Sequence, residues 1–384
     1  LGQSGASYAA INSRNELYVW GVNYGALPIH DNKSLNAWQN GEEYGFVIPS
    51  PRRVRPNEAW KDIALGYKFG IGYSTDGTFY SWGRNLSSQL GKGRPTTYET
   101  FSKPNIYLGE IVQITAGDQQ DGIINKDGKM RMIGSNDQGQ LGTGATNDNT
   151  PKQLDWDDIS GNIKEVKVTQ TETQIINDQN EIWAYGDNLY AQLGRGTRDT
   201  KAENYEAKKI DVSGWSEVYA ISEHVYAFKT DGTLWAWGNN TYGNLGLGNN
   251  TDYQSPRQIP GTQWKLAGVQ ECNEGDKMSY AFKTDGTMWV WGDNGNGNLG
   301  QNTTTSYSSP IQLPGTWSSK NGQSHKQRPM MAIKEDNSLW AWGYNDHGEC
   351  GVNDLVRRSS PIQIPGEWKF TSAGQVTFGI KTDG

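Results

Sequence analysis

Cysteine is almost absent from this chain of 384 residues: Cys272 and Cys350 are the two copies, and they lack Cys-x-x-Cys spacing. That count excludes a disulfide scaffold and a cysteine zinc site. Histidine is scarce too. His30, His224, His325 and His347 show neither His-x-x-x-His nor His-Glu-x-x-His spacing, so no metal site and no histidine-based catalytic triad is expected. Positive charge is in the minority, with 35 Lys and Arg against 42 Asp and Glu and a formal net charge of −7. Nucleic acid is disfavoured as a partner, because phosphate-backbone affinity comes from Lys and Arg displacing counterions. No apolar run approaches the ~20 residues of a membrane helix, so no membrane insertion is expected. No charged-then-apolar leader precedes Leu1. The chain begins without Met and stops at Gly384 inside a repeating pattern, which suggests a piece of a longer protein.

What the chain does contain is glycine, at 48 residues, and large aromatics, with 16 Trp and 19 Tyr in a composition only 34% hydrophobic. Such a core must be built from a few large rings rather than many aliphatic side chains. The rings recur. Leu17–Gly21 (Leu-Tyr-Val-Trp-Gly) is followed by Phe79–Gly83, Met130–Gly134, Ile182–Gly186, Leu234–Gly238, Met288–Gly292 and Leu339–Gly343. The closing glycines are 62, 51, 52, 52, 54 and 51 residues apart, a period that suits propeller blades.

Each unit carries the same parts in order. Strand A, such as Trp215–Ile221, alternates apolar residues. Strand B, such as Tyr226–Lys229, runs into Asp231-Gly232, a dipeptide that favours a tight hairpin. Strand C, Leu234–Gly238, sets Trp235 and Trp237 on one face of the sheet. A polar loop then closes on Gln-Leu-Gly or Asn-Leu-Gly (Gln89–Gly91, Gln140–Gly142, Gln192–Gly194, Asn244–Gly246, Asn298–Gly300). Strand D carries a proline, as at Ser255-Pro256 or Ser309-Pro310, the mark of an edge position that donates no ladder bond. A single four-stranded sheet cannot bury its Trp pair alone, and each buried Trp is worth at most about 5 kcal/mol at ~25 cal/mol per Å². Neighbouring sheets must cover it.

With D-G-x-hydrophobic-W-x-W-G, the N-x-x-G-x-L-G loop and the S-P-x-Q-hydrophobic strand, the units resemble repeats of the regulator of chromosome condensation family. The Trp-Ala-Trp-Gly style is similar to that of bacterial and phage members. The resemblance implies an all-β fold, a β-propeller of four-stranded antiparallel blades, seven in number, with eight as the alternative. Residues 1–384 are expected to form one propeller domain with an insertion at 28–48 in the first blade. Leu1-Gly2 aligns with Leu65-Gly66, so the first unit lacks most of strand A, whereas Glu367–Gly384 supplies a surplus A and B.

Two chemistry-like features have bland explanations. Gly295-Asn-Gly297-Asn-Leu-Gly300 matches G-x-G-x-x-G, but it lies in a C–D connection with no helix after it to receive a pyrophosphate. Cys350 stands where Leu90, Leu141, Leu193, Leu245 and Leu299 recur, which reads as a small core filler. No catalytic residue and no cofactor is expected.

Departures from the repeat build loops. Between strands C and D of unit 1 an insertion brings His30, Trp38, Glu42, Glu43 and Tyr44. Between A and B of unit 6, Trp264 to Asp285 spans 21 residues against 16 for Trp215 to Asp231, adding an acidic loop with Glu271, Glu274 and Asp276. Between A and B of unit 7, Trp317 to Asp336 spans 19, adding a basic loop with Lys320, His325, Lys326 and Arg328. In a closed seven-bladed ring these three would converge, which marks a partner-binding surface with Trp38 and Tyr44 as anchors. The expected function is a non-enzymatic interaction or assembly module on a cell surface or a virion. Its partners would be protein: neighbouring structural proteins or a cell-surface receptor. Guanine-nucleotide exchange, which the family resemblance implies for some members, and glycan binding are the alternatives.

Overall fold

The computed structural model describes residues 2–4, 7–23, 25–29, 46–92, 96–104, 109–144, 152–154, 159–198, 202–221, 223–265, 277–323, 329–372 and 378–383. Seven antiparallel sheets follow one another in repeat order, each with its strands in chain order, and the fold is a seven-bladed, all-β propeller. Among the described residues the one helical element named is a 3-10 turn at Ala202–Tyr205.

The chain divides into two compact units, Leu1–Asp187 with Thr200–Lys209, and Asn188–Asp199 with Ile210–Gly384. In the first, blade 1 comprises Gly2–Ser4, Ser7–Ile11, Leu17–Asn23 and Phe46–Val54. Blade 2 comprises Trp60–Gly66, Phe69–Ser74, Phe79–Asn85 and Thr96–Ser102. Blade 3 comprises Ile111–Ala116, Gln120–Asn125, Met130–Gly134 and Lys152–Leu154. Blade 4 has Ile163–Val168, Glu172–Asn177 and Glu181–Gly186, and its last strand, Lys208–Ser213, divides between the units after Lys209.

In the second unit, blade 5 is Trp215–Ile221, His224–Lys229, Leu234–Gly238 and Tyr253–Gln258. Blade 6 has three named strands, Met278–Phe282, Met288–Gly292 and Tyr307–Leu313, with the place of strand A marked by a Trp264–Lys283 bridge. Blade 7 has five: Trp317–Gln323, Pro329–Lys334, Ser338–Gly343, Arg358–Ser372 and Phe378–Lys381. The surplus A and B segments therefore extend the seventh sheet. Arg358–Ser372 is one continuous strand that pairs with Ser338–Gly343 over its first part and with Phe378–Lys381 over its last.

Consecutive sheets within a unit share an apolar layer, as strands with covered faces require. Ala9, Leu17 and Val19 of blade 1 meet Trp60, Ile63 and Trp82 of blade 2, and Phe228, Leu234 and Leu245 of blade 5 meet Trp264 and Trp291 of blade 6. In four blades the Trp just before the closing glycine of strand C is tied to the preceding loop by its indole N–H. Trp82 donates to Ala26 O at 2.9 Å, Trp237 to Gln192 O at 2.9 Å, Trp291 to Asn244 O at 2.6 Å and Trp342 to Asn298 O at 2.7 Å. A buried ring thereby satisfies a buried carbonyl. The glycine after that Trp is required. At Gly238 φ is +102°, and a Cβ would lie 2.5 Å from Glu223 O, a clash no other residue avoids.

The first Trp of the pair is half-buried and locks the B–C hairpin. Asp231 Oδ1 accepts from Thr233 N at 2.9 Å and Thr233 Oγ1 at 2.6 Å, and that hydroxyl accepts from Trp235 Nε1 at 2.8 Å. Asp285–Thr287–Trp289 and Asp336–Ser338–Trp340 repeat the arrangement. Lys229 Nζ lies 5.0 Å from the Trp215 ring and 4.5 Å from Trp235, so a charged stem covers the two indoles from the solvent side.

Candidate partner-binding surface

In a blade whose strands run alternately, the A–B and C–D connections leave at one end, and the C–D loops there share a rigid frame. The asparagine that opens each loop accepts, through Oδ1, from the amide five residues on. The pairs are Asn85–Leu90 (3.0 Å), Asn136–Leu141 (3.0 Å), Asn188–Leu193 (3.1 Å), Asn240–Leu245 (2.9 Å), Asn294–Leu299 (2.8 Å) and Asn345–Cys350 (2.8 Å). Its amide group then donates forward, for example Asn240 Nδ2 to Asn249 O at 2.9 Å and Thr251 O at 3.0 Å. Blade 1 uses a similar device over a shorter span, where Asn23 Oδ1 accepts from Gly25 N at 2.8 Å and from Leu27 N, four residues on, at 3.1 Å.

The residue after the asparagine has no part in that frame and varies: Leu86, Asp137, Leu189, Thr241, Gly295 and Asp346. Leu86, Leu189 and the next-position Tyr242 are exposed hydrophobic tips. Lys277 Nζ stands 3.4 Å above the Tyr242 ring. Gly297 and Gly300 have φ of +79° and +67°, and Gly297 occupies the turn position of Gly139, Gly243 and Gly348; the G-x-G-x-x-G match is a turn between strands. Cys350 is fully buried beside Leu339 and Ile364, and burial pushes its thiol up to about 12, which makes it inert.

The residues expected from the insertions are placed as follows. His30, Trp38, Glu42, Glu43, Tyr44, Glu271, Glu274, Asp276, His325, Lys326 and Arg328 lie outside the described residues. Lys320 does not sit in a loop: it falls within the strand Trp317–Gln323. There Trp317 opposes Lys334 while Gly322 opposes Ala332, five steps against two, where Trp215 and Val218 oppose Lys229 and Ala227, three against two. Two of the three extra residues of blade 7 are thus absorbed by a strand bulge.

Two acids are buried at the starts of B strands in the first unit. Both carboxyl oxygens of Asp121 lack a hydrogen-bond partner, and full burial drives its pKa well above the usual carboxylate range. Burial likewise pushes Glu172 up to about 8, opposed by the Thr169 and Thr171 hydroxyls, of which Thr171 Oγ1 donates to Glu172 Oε2 at 2.9 Å. Both side chains are enclosed, whereas a general acid must reach its substrate. Among the described residues no group of three or more His, Cys, Asp or Glu could hold a metal ion, and no helix is long and apolar enough to cross a membrane.

The RCC1-like domain family matches residues 16–381. The chain belongs to that family. This RCC1-like chain is 28% identical over 312 residues to the ultraviolet-B receptor UVR8 of Arabidopsis thaliana, a match covering 79% of the chain and 69% of the receptor. It is 27% identical over 262 residues to the human E3 ubiquitin-protein ligase HERC2, covering 65% of the chain and 5% of the ligase. In structure it is similar to human WBSCR16, with TM-score 0.67 and 20% identity over 96% of this chain and 100% of that one. It is also similar to Prp20p of Saccharomyces cerevisiae, with TM-score 0.68 and 15% identity over 97% of this chain and 93% of that one. At these identities the structural likeness shows the fold alone.

Sequence reasoning, which followed the insertions, missed Tyr67, Lys68, Arg84 and Leu86 at the loop end of blade 2. Tyr67 and Leu86 are each 44% exposed. Lys68 Nζ lies 4.6 Å and Arg84 Cζ 5.9 Å from the Tyr67 ring centre. The available signal was Tyr67 and Arg84, an aromatic and a cation that no other blade carries at those positions, whereas Lys68 has basic counterparts in Lys277 and Arg328.

Proposed function

We propose that this RCC1-like propeller is a non-enzymatic interaction module that binds a protein partner through the loops at the A–B and C–D ends of its blades. The observation that carries it is the division of labour in those loops. Six copies hold the same asparagine-to-amide bond, while the outward tip residue changes from copy to copy, as a scaffold that presents a specific surface requires. The relatives bearing this domain include a receptor and a ubiquitin ligase, in keeping with a regulatory or interaction role. The residues of the three insertions, His30, Trp38, Glu42, Glu43, Tyr44, Glu271, Glu274, Asp276, Lys320, His325, Lys326 and Arg328, belong to the proposed contact set.

A virion or adhesion setting finds no support among these relatives and forms no part of the proposal. Guanine-nucleotide exchange is the narrower alternative: Prp20p has been described with its binding properties to Gsp1p and histones, but at 15% identity no residue is carried over. Glycan binding is weakened by the tryptophans, since every described one is buried or half-buried.

Cross-linking with mass spectrometry on the protein in its native source tests the proposal. Links from loop tips such as 86–88, 189–190 or 241–242, or from 28–48, 269–278 and 318–328, to one recurrent protein are the expected result. Links confined to the opposite, B–C end of the blades would refute it, and unchanged partner capture after deletion of 28–48 would remove the first insertion from the contact set.

A further inference from the structure

We propose that Asp121 is a neutral hydrogen-bond donor that stands in for the missing tryptophan of blade 3: its carboxyl O–H donates to Gln89 O and latches the C–D loop of blade 2, the loop whose tip is Leu86. The latch holds whatever that loop binds, so it stands or falls apart from the interaction-module reading.

The carbonyl just before the buried loop leucine needs a donor from the next blade. Ala26 O, Gln192 O, Asn244 O and Asn298 O accept from the indoles of Trp82, Trp237, Trp291 and Trp342. Blades 3 and 4 have Ile133 and Tyr185 in the tryptophan's place. In blade 4 the donor comes from the strand beside it, where Thr173, paired with Tyr185, gives Oγ1 to Gln140 O at 2.9 Å. In blade 6 Ser279, paired with Trp291, reaches Asn244 O at 3.3 Å. The same register position in blade 3 is Asp121, paired with Ile133, and the corresponding carbonyl, before Leu90, is that of Gln89.

Alternation along the strand sends the Asp121 side chain toward blade 2. Its neighbour Gln120 donates Nε2 to Thr169 O of blade 4, while Ile123, two residues on, packs with Ile71 and Leu90 of blade 2, and residues 121 and 123 share a face. Asp121 is fully buried. As a carboxylate it could only accept, and neither oxygen has a partner; as a carboxylic acid it can donate. Burial is what drives its pKa well above the ordinary 3.8, with no contribution from Asp118 in the turn before it, Arg131 on the paired strand or Arg84 beside the loop.

The test uses Asp121→Thr, which copies blade 4, and Asp121→Val, which copies Val225 of blade 5. Hydrogen exchange is read at the Leu90 and Gly91 amides, whose bonds to Asn85 Oδ1 and Ser88 O close the loop. Asp121→Val should exchange there about tenfold faster than wild type, and Asp121→Thr should restore the wild-type rate within about twofold; Asp121→Ala takes the same comparison if the valine variant does not fold. The infrared difference between wild type and Asp121→Thr at neutral pH should contain the C=O band of a carboxylic acid. The folding constant of Asp121→Thr relative to wild type should rise about tenfold per pH unit from about pH 5 to 7, because the unfolded chain ionises Asp121 and the folded chain keeps its proton. No carboxylic-acid band, a ratio that stays constant over that range, or loop exchange as slow without a donor as with threonine overturns the proposal.

Discussion

Replacing Glu172 by Gln should stabilise the protein at neutral pH, and the gain should disappear in acid. Glu172 is fully buried, and desolvation raises its carboxyl from 4.5 to about 8 against the Thr169 and Thr171 hydroxyls. A group whose folded pKa lies above its unfolded value supports the fold most below the unfolded pKa, and that support is lost as pH rises through the folded one. The unfolded chain ionises Glu172 above about pH 4.5, whereas the folded chain keeps it protonated to about pH 8. At about 1.4 kcal/mol per pH unit, the penalty reaches roughly 3 kcal/mol at pH 7 and levels near 5 kcal/mol above pH 8. Glutamine keeps an oxygen for the Thr171 hydroxyl, which donates at 2.9 Å, and never ionises, so it escapes the penalty. Urea unfolding followed by Trp fluorescence at pH 4.5, 7 and 8.5 would measure it, with wild type and variant compared pairwise so that other titrating groups cancel. His224 is one such group, with its imidazole pushed down to about 4 by burial. A Glu172→Gln difference that stays constant from pH 4.5 to 8.5, or a variant less stable than wild type at pH 8.5, would refute the assignment of Glu172 as a buried neutral acid.

Trp237→Phe keeps most of the ring but strands the Gln192 carbonyl that accepts at 2.9 Å; a loss of about 1–3 kcal/mol is expected in chemical denaturation, against about 3–5 for Trp237→Ala. Gly238→Ala puts a methyl 2.5 Å from Glu223 O at φ +102° and should cost more than the ~1 kcal/mol of an unstrained glycine exchange, read as a lowered melting temperature. Asn240→Ala removes the bonds to Leu245 N, Asn249 O and Thr251 O. A loss of roughly 2–4 kcal/mol should follow, with hydrogen exchange fastest at the Leu245 amide; unchanged protection there would show that the asparagine does not hold the loop.

The frame was legible in the sequence because its constraints recur at fixed spacing: a glycine where a Cβ meets a carbonyl, an asparagine five residues before a leucine amide, an Asp–Thr pair that caps an indole. Where a blade departs from the pattern, a substitute meets the same need. Thr173 Oγ1 donates at 2.9 Å to Gln140 O, the carbonyl that an indole satisfies elsewhere, since Tyr185 stands at the Trp position of blade 4. The buried acids were not legible. Glu172–Asn177 is buried along its whole length, and in a strand covered on both faces polar alternation no longer marks the solvent side. The blade 2 patch escaped for a different reason. Searching for insertions detects changes in spacing, whereas Tyr67 and Arg84 alter chemistry at constant spacing. Across the six loops with this frame, the asparagine and the buried residue five positions on stay fixed while the tip between them changes. A repeat propeller can therefore specialise by substitution alone, so the positions to compare between blades are those that bond to nothing in the frame.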